Sequence, residues 1–228
     1  MIRRFTAILL GLFFAALPLQ AQGVMGFIQS FDWFVRGSIL FFPENNKNAS
    51  APMHILPSLG GGASRPLNDY ISLEVSLDLY GTTYDYDYNL KRVVPANAEF
   101  RSASVMGILV GVQPVYRLTL REKFTIRAYG GLGLDIRMVF RASGIKDTED
   151  HQIQGTVGQA RKEITSYFWG GGRFLFPFVG VGVDYPIMEG IQLGLDFRFW
   201  YPVWKIWTGE NLPTVEGLRF GVGFRVSF

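Results

Sequence analysis

Along most of the chain apolar and polar residues alternate one for one. From Tyr70 to Tyr80, Ile71, Leu73, Val75, Leu77 and Leu79 fall on one face and Ser72, Glu74, Ser76, Asp78 and Tyr80 on the other. A period of two places such a segment in a β-strand with unlike surroundings on its two sides. Ile191 to Tyr201 repeats the split, with Leu193, Leu195 and Phe197 against Gly194, Asp196 and Arg198. Leu218 to Phe228 repeats it again, with Phe220, Val222 and Phe224 against Gly221, Gly223 and Arg225. The same key predicts strands near Ser30–Phe42, Met53–Arg65, Arg101–Arg117, Phe124–Arg141 and Phe174–Tyr185, which brings the number to eight. After the N-terminal segment no apolar run approaches the roughly 18 residues of a membrane-spanning helix.

The connections alternate in length. Pro43–Pro52, Thr82–Phe100, Ala142–Glu163 and Pro202–Glu216 are long, whereas Pro66–Asp69, Leu118–Lys123 and Pro186–Gly190 are short. Long loops on one rim and tight turns on the other are the pattern of an all-β, eight-stranded, antiparallel up-and-down transmembrane barrel of the outer-membrane kind. Alternation is shared with soluble ligand-binding barrels, so the face that meets lipid has to be decided separately. All six lysines lie in connections, where a water-bathed strand face would use lysine freely. The polar faces mix glycine with long charged side chains, which suits a crowded interior. An alternating stretch of about 10 residues at roughly 3.3 Å each, tilted about 40°, spans close to 25 Å of membrane normal. Rings of Phe31, Tyr116, Phe124, Tyr185 and Phe228 near one rim, and of Phe41, Phe140 and Tyr201 near the other, match the headgroup levels.

By parity the interior holds Asp32, Glu74, Asp78, Asp135, Asp184 and Asp196 against Arg36, Arg117, Arg127, Arg137, Arg141, Arg198, Arg219 and Arg225. Buried charges must be paired or solvated. These residues therefore form either a polar conduit or an internal ion-pair network that holds the barrel shut. The upper interior is less polar: Leu40, Phe42, Leu56, Val139 and Trp200 point inward there and outline a small vestibule, or simple packing under the loops. Eight strands enclose a space just wide enough for side chains, which excludes a wide water pore.

Composition and charge narrow the function. Residues 1–21 read as a cleaved secretory signal peptide, with Arg3 and Arg4, an apolar stretch from Ala7 to Leu17, and Leu19-Gln20-Ala21 before the cut, leaving 22–228 as one barrel domain. Of the formal charge of +3, Arg3 and Arg4 supply two, so the mature chain carries +1 and nothing in it argues for nucleic acid. The absence of cysteine and the presence of only two histidines exclude a clustered His/Cys metal site and a thiol nucleophile, and no cofactor is expected. Asp85 and Asp87 with Glu99 could bind calcium only weakly, because they lack calcium-loop spacing. His54 with Ser50 is the one nucleus an enzyme could use, because His151 sits in a long loop; a lone rim histidine is far more often an interfacial polar residue, so no enzyme activity is expected.

Taken together, the leader, the eight strands and a last strand ending in Phe228, with Phe220 and Phe224 at alternate positions, resemble a small outer-membrane β-barrel protein. The resemblance implies that this last strand is the signal read by the barrel-assembly machinery. It implies delivery to the outer membrane of a diderm bacterium, with both termini periplasmic and the long loops extracellular. Phe31-Asp32-Trp33-Phe34-Val35-Arg36-Gly37, Gly111-Val112-Gln113-Pro114 and Gly221-Val222-Gly223-Phe224-Arg225 resemble stretches of the OmpW/OprG group. OmpX-like and OmpA-like barrels share the eight-strand plan. Membership of the OmpW/OprG group would imply assisted passage of small molecules, hydrophobic or otherwise, through a narrow lumen with a lateral exit.

Pro57, Pro114 and Pro177 fall on the lipid-facing parity, and each removes a ladder donor from a barrel with no free edge. Pro57, in the outer half of the second strand, is the candidate lateral gate; a plain bulge beside Gly60 to Gly62 is the other reading. The Thr82–Phe100 connection carries Tyr84, Tyr86 and Tyr88 among carboxylates, a ring-rich surface of the kind that binds protein partners. The expected partners are therefore outer-membrane lipid, the assembly machinery, a small solute and an extracellular protein. An adhesin or structural barrel acting through its loops is the alternative to transport.

Overall fold

The computed structural model describes residues 31–43, 54–87, 91–95, 103–120, 124–142, 157–208 and 217–228. The expected leader lies outside them, and the barrel belongs to a compact unit of its own, Asp32–Phe228. Its strands are β1 (Asp32–Phe42), β2 (His54–Pro66), β3 (Ile71–Asp87), β4 (Arg92–Pro95), β5 (Ala103–Leu120), β6 (Phe124–Ala142), β7 (Leu175–Met188), β8 (Ile191–Trp200) and β9 (Arg219–Ser227). All pairings are antiparallel, and eight of the strands close a cylinder in the order β1-β2-β3-β5-β6-β7-β8-β9, with β9 returning to β1. Closure is sealed at the short-turn rim, where Trp33 and Phe228 exchange backbone hydrogen bonds of 3.0 and 2.9 Å.

Alternation sets which side chain faces which way. Along β1 every even position from Phe34 to Phe42 is buried and the odd positions Trp33, Val35, Gly37 and Ile39 are exposed. The exposed set around the wall is apolar, including Leu59 at 70%, Leu132 at 50%, Leu195 at 52% and Phe224 at 65%. An apolar exterior around a charged interior is the inverse of a soluble protein and fits a hydrocarbon surround. At the short-turn rim Tyr70 stacks on Tyr116 (6.4 Å) and Phe124 packs on Tyr185 (5.2 Å), which places paired rings at one edge of the belt. The turn there uses Asn68, whose side chain accepts hydrogen bonds from the amides of Tyr70 and Ile71, and the β7–β8 turn places Gly190 at φ 76°.

The long-loop rim is uneven, and here the structure departs from expectation. The segment Thr82–Phe100 is not a plain connection: β3 continues to Asp87 and its end pairs with β4. The pairs β3–β5 and β5–β6 run on to Tyr84, Ala103 and Ala142, whereas β2–β3 pairing stops at Ser58 and Tyr80, and β6–β7 pairing stops at Leu134 and Leu175. A tongue made of β4, β3, β5 and β6 therefore rises past the rest of the wall. Its inner face is covered by α1 (Val157–Trp169), which was expected as part of a polar loop. Ile164 and Phe168, one turn apart, bury their side chains against Tyr84, Val93, Ala103 and Val105, while Arg161, Lys162, Thr165 and Ser166 face outward. α1 ends in a tight turn at Gly170–Gly172, where φ values of 59° and 77° at Gly171 and Gly172 suit glycine. A short helix, α2 (Lys205–Thr208), follows β8.

Candidate functional site

The lumen is filled by charge pairs arranged in tiers along the barrel axis. Nearest the short turns, Glu74 accepts hydrogen bonds from Arg225 and Gln113, both 2.7 Å, and Arg127 grips Asp184 at 2.5 and 2.9 Å. Arg127 also lies 3.0 Å from Asp196, which accepts the Tyr129 hydroxyl at 3.0 Å. In the middle, Arg36 forks onto Asp78 at 3.1 and 2.6 Å, and Arg198 bridges Asp78 (2.6 Å) and Ser38 (3.0 Å). Strand alternation aims these groups inward, and closing the sheet brings β1, β3 and β8 face to face across the lumen. Small residues leave the room that such tiers need: a side chain at Gly180 would collide with the Tyr129 ring, and one at Gly107 with the Tyr80 ring.

The uppermost tier is built on Asp135. It accepts Arg219 Nη1 at 2.6 Å and the Tyr80 hydroxyl at 2.9 Å, and Arg137 Nε lies 2.9 Å away without hydrogen-bond alignment. Above it lies an aromatic cluster that includes Leu40, Phe42, Leu56, Trp200, Phe176 and Trp204. Trp204, from the connection after β8, enters this cluster and packs on Phe176 at 4.6 Å. The Arg219 guanidinium faces the Phe176 and Phe42 rings at 3.8 and 4.5 Å, so charge tier and apolar cluster are in direct contact. Phe168 of α1 lies over Arg137 at 3.9 Å, and Arg137 also donates to the Arg173 carbonyl at 2.8 Å. The two covering pieces are tied by the Trp207 indole, which donates to the Gly171 carbonyl at 2.8 Å.

Pro57 sits where the wall's ladder ends on one of its two sides. It opposes Ile39 on β1, but on its other side the β2–β3 register ends one residue earlier, at Ser58 and Tyr80. Leu56 on β2 and Tyr80 on β3 flank this seam from within, and both belong to the aromatic cluster. On the outer side Pro57 is exposed, and a side chain added at Gly81 would meet open space. At Pro114 the β5–β6 register skips from Val112 to Val115, whereas Pro177 keeps its place opposite Leu132.

The structure thus brings together Arg36, Glu74, Asp78, Arg127, Asp135, Arg137, Asp196, Arg198, Arg219 and Arg225 inside the barrel, and Leu40, Phe42, Leu56 and Trp200 above them. Asp32, Val139, Tyr84 and Tyr86 are placed differently from the sequence reading. Asp32 is left out of the buried network: its side chain is 59% exposed at the short-turn rim, 3.8 Å from Arg117, because the strand begins there. Val139 packs against the α1 cluster rather than with the vestibule residues, since β6 has already passed the rim at that height. Tyr84 is no surface ring. It is buried, with Phe168 edge-on at 5.1 Å, and Tyr86 packs partly against the same cluster. Tyr88, Ser50 and His151 lie outside the described residues, as does the His54 side chain. Phe220 packs on Phe199 at 5.2 Å, and Phe224 and Phe228 are exposed on the outer wall. Phe168, Phe176, Trp204 and Tyr80 are site residues that sequence reasoning missed; the Ile164/Phe168 spacing of four was the available signal for α1.

No family model matches the sequence, and no curated protein matches it. Solved structures do. The structure of Neisserial surface protein A is matched over 87% of this chain and 97% of that one, at 15% identity and a TM-score of 0.50. OprG from Pseudomonas aeruginosa is matched over 87% and 96%, at 12% identity and TM-score 0.49, and Ail of Yersinia pestis over 86% and 95%, at 6% and 0.44. The class that fold and interior define is the small outer-membrane β-barrel: eight antiparallel strands, apolar outside, charged and packed inside.

Proposed function

We propose that the chain is an outer-membrane barrel that assists passage of small apolar molecules, which enter under the long loops and leave sideways through the wall. The observation that supports this reading best is that the β2–β3 register ends at Ser58 and Tyr80, one residue short of Pro57, with Leu56 and Tyr80 of the aromatic cluster bordering that point from inside. A path running the whole barrel length is disfavoured, because the lower tiers pack guanidiniums and carboxylates at 2.5 to 3.1 Å across the lumen. Lateral release avoids those tiers and delivers an apolar solute into hydrocarbon. The reading places the loops outside the cell, the termini in the periplasm, and residues 1–21 as a cleaved leader.

The test locks the seam. Cysteines at Pro57 and Gly81, which would oppose each other if the register continued, form a reversible clasp in a chain that has no cysteine of its own. In vesicles with a lipopolysaccharide outer leaflet, flux of small apolar solutes through Pro57→Cys/Gly81→Cys should fall on oxidation and return on reduction. Pro57→Ala, which restores a ladder donor, should lower flux in the same direction. A folded parent barrel that passes no solute would overturn the reading and leave the tongue and loops as the functional surface.

A further inference from the structure

Six buried guanidiniums (Arg36, Arg127, Arg137, Arg198, Arg219, Arg225) face five buried carboxylates (Glu74, Asp78, Asp135, Asp184, Asp196) among the described barrel residues. The imbalance has an address. Arg36, Arg127, Arg198 and Arg225 are matched in number by Asp78, Asp196, Asp184 and Glu74 in the two lower tiers. In the upper tier Arg219 and Arg137 share the single carboxylate of Asp135. Among the described barrel residues this tier therefore has one guanidinium more than it has carboxylates, at the base of the aromatic cluster, in surroundings of low dielectric where an excess charge is costly unless matched.

The group carrying that excess is Arg137. Its Nε reaches Asp135 without hydrogen-bond alignment, its Nη2 is spent on a neutral carbonyl, and its face is covered by the Phe168 ring. A ring face is a weak substitute for an anion. The other charged groups near this tier do not remove the excess: Glu163 and Arg173, which both bear on Tyr86 higher up, are one of each sign, and Lys205 adds a further cation on α2. The Phe42, Phe176 and Trp204 rings adjoin the same tier.

We propose that the vestibule under α1 is a binding site for a small amphiphilic monoanion, whose headgroup takes the place of the Phe168 ring on Arg137 and whose tail takes the place of Trp204 among the rings. This rests on the conduit reading and narrows its solutes to those that join an apolar tail to a single negative charge. A monoanion supplies the one carboxylate-like partner that Arg137 and Arg219 lack between them, whereas a cation adds to the excess. The two groups displaced, Phe168 and Trp204, belong to covering pieces joined by the Trp207–Gly171 hydrogen bond, so they lift together. The Asp135–Arg219 pair stays closed beneath the bound headgroup.

The experiment compares three six-carbon probes of fixed charge, hexanesulfonate, hexyltrimethylammonium and hexyl glucoside, against the refolded full chain. Flux is measured in proteoliposomes and binding by calorimetry in a neutral detergent. Hexanesulfonate should bind at least tenfold more tightly than either other probe and pass fastest. Arg137→Gln, which leaves Asp135 and Arg219 balanced, should abolish that preference, and Arg137→Lys should retain most of it. Phe168→Ala, which uncovers Arg137 without touching its charge, should tighten hexanesulfonate binding, and it tests the site even if Arg137→Gln does not fold. Passage of all three probes without preference overturns the anion site and leaves the conduit standing. Binding of hexanesulfonate without flux supports the site and overturns the conduit, and neither binding nor flux overturns both.

Discussion

Asp135 concentrates the energetics of the upper lumen into one side chain. It holds Arg219 at 2.6 Å, Tyr80 at 2.9 Å and Arg137 within ion-pair distance, all buried. Removing one member of a buried charge cluster leaves its partners desolvated and unpaired, which costs about 3–5 kcal/mol. Asp135→Asn should lose stability on that scale in denaturant unfolding of the lipid-reconstituted barrel. Asp32→Asn should lose less than about 1 kcal/mol, because its 3.8 Å partnership with Arg117 lies in water. Inward parity was enough to nominate both aspartates from the sequence. It could not separate them, since height along the axis and the rim's position depend on how the strands are staggered.

Among the elements, α1 is the piece whose stability can be tuned apart from the wall. The helix attaches to the tongue through Ile164 and Phe168, both buried, on a core distinct from that of the lumen. Truncating a buried isoleucine costs about 2–5 kcal/mol. Ile164→Ala should therefore raise hydrogen exchange in α1 and in the β4 edge by orders of magnitude, while the β1–β9 ladder keeps its protection. Equal loss of protection in both regions would mean that helix and barrel unfold as one unit. The eight wall strands were legible because alternation is enforced on every one of them by lipid on one side and a packed lumen on the other. The tongue and α1 were not: above the membrane that contrast is gone, and a 13-residue helix with two buried apolar positions reads as polar loop.

For the whole molecule, the apolar exterior is the feature that requires a membrane. Leu195 lies near the middle of β8 and is 52% exposed, whereas Leu67 lies in a short turn. An arginine at mid-belt on a lipid-facing position costs about 2–4 kcal/mol, falling to about 0–1 near the interface. Leu195→Arg should show the larger penalty and Leu67→Arg almost none when folding is titrated in lipid vesicles. In detergent-free buffer the refolded parent should aggregate, because the same belt then faces water.

Strand number, the inward and outward faces, and the identity of the interior charges follow from the sequence alone, because a period of two leaves one outcome for each residue once the strand is recognised. Which charges meet was decided only by closing the cylinder, which sets Arg36 of β1 against Asp78 of β3 and Arg219 of β9 against Asp135 of β6. The seam at Pro57 also belongs to the tertiary structure. A proline marks a missing donor, but whether the neighbouring strand is still paired at that height depends on where β2 and β3 part. The cover of the aromatic cluster was decided the same way, since Phe168 and Trp204 come from connections whose own pattern carries no strand signal, and only the folded rim brings them over Arg137 and Phe176.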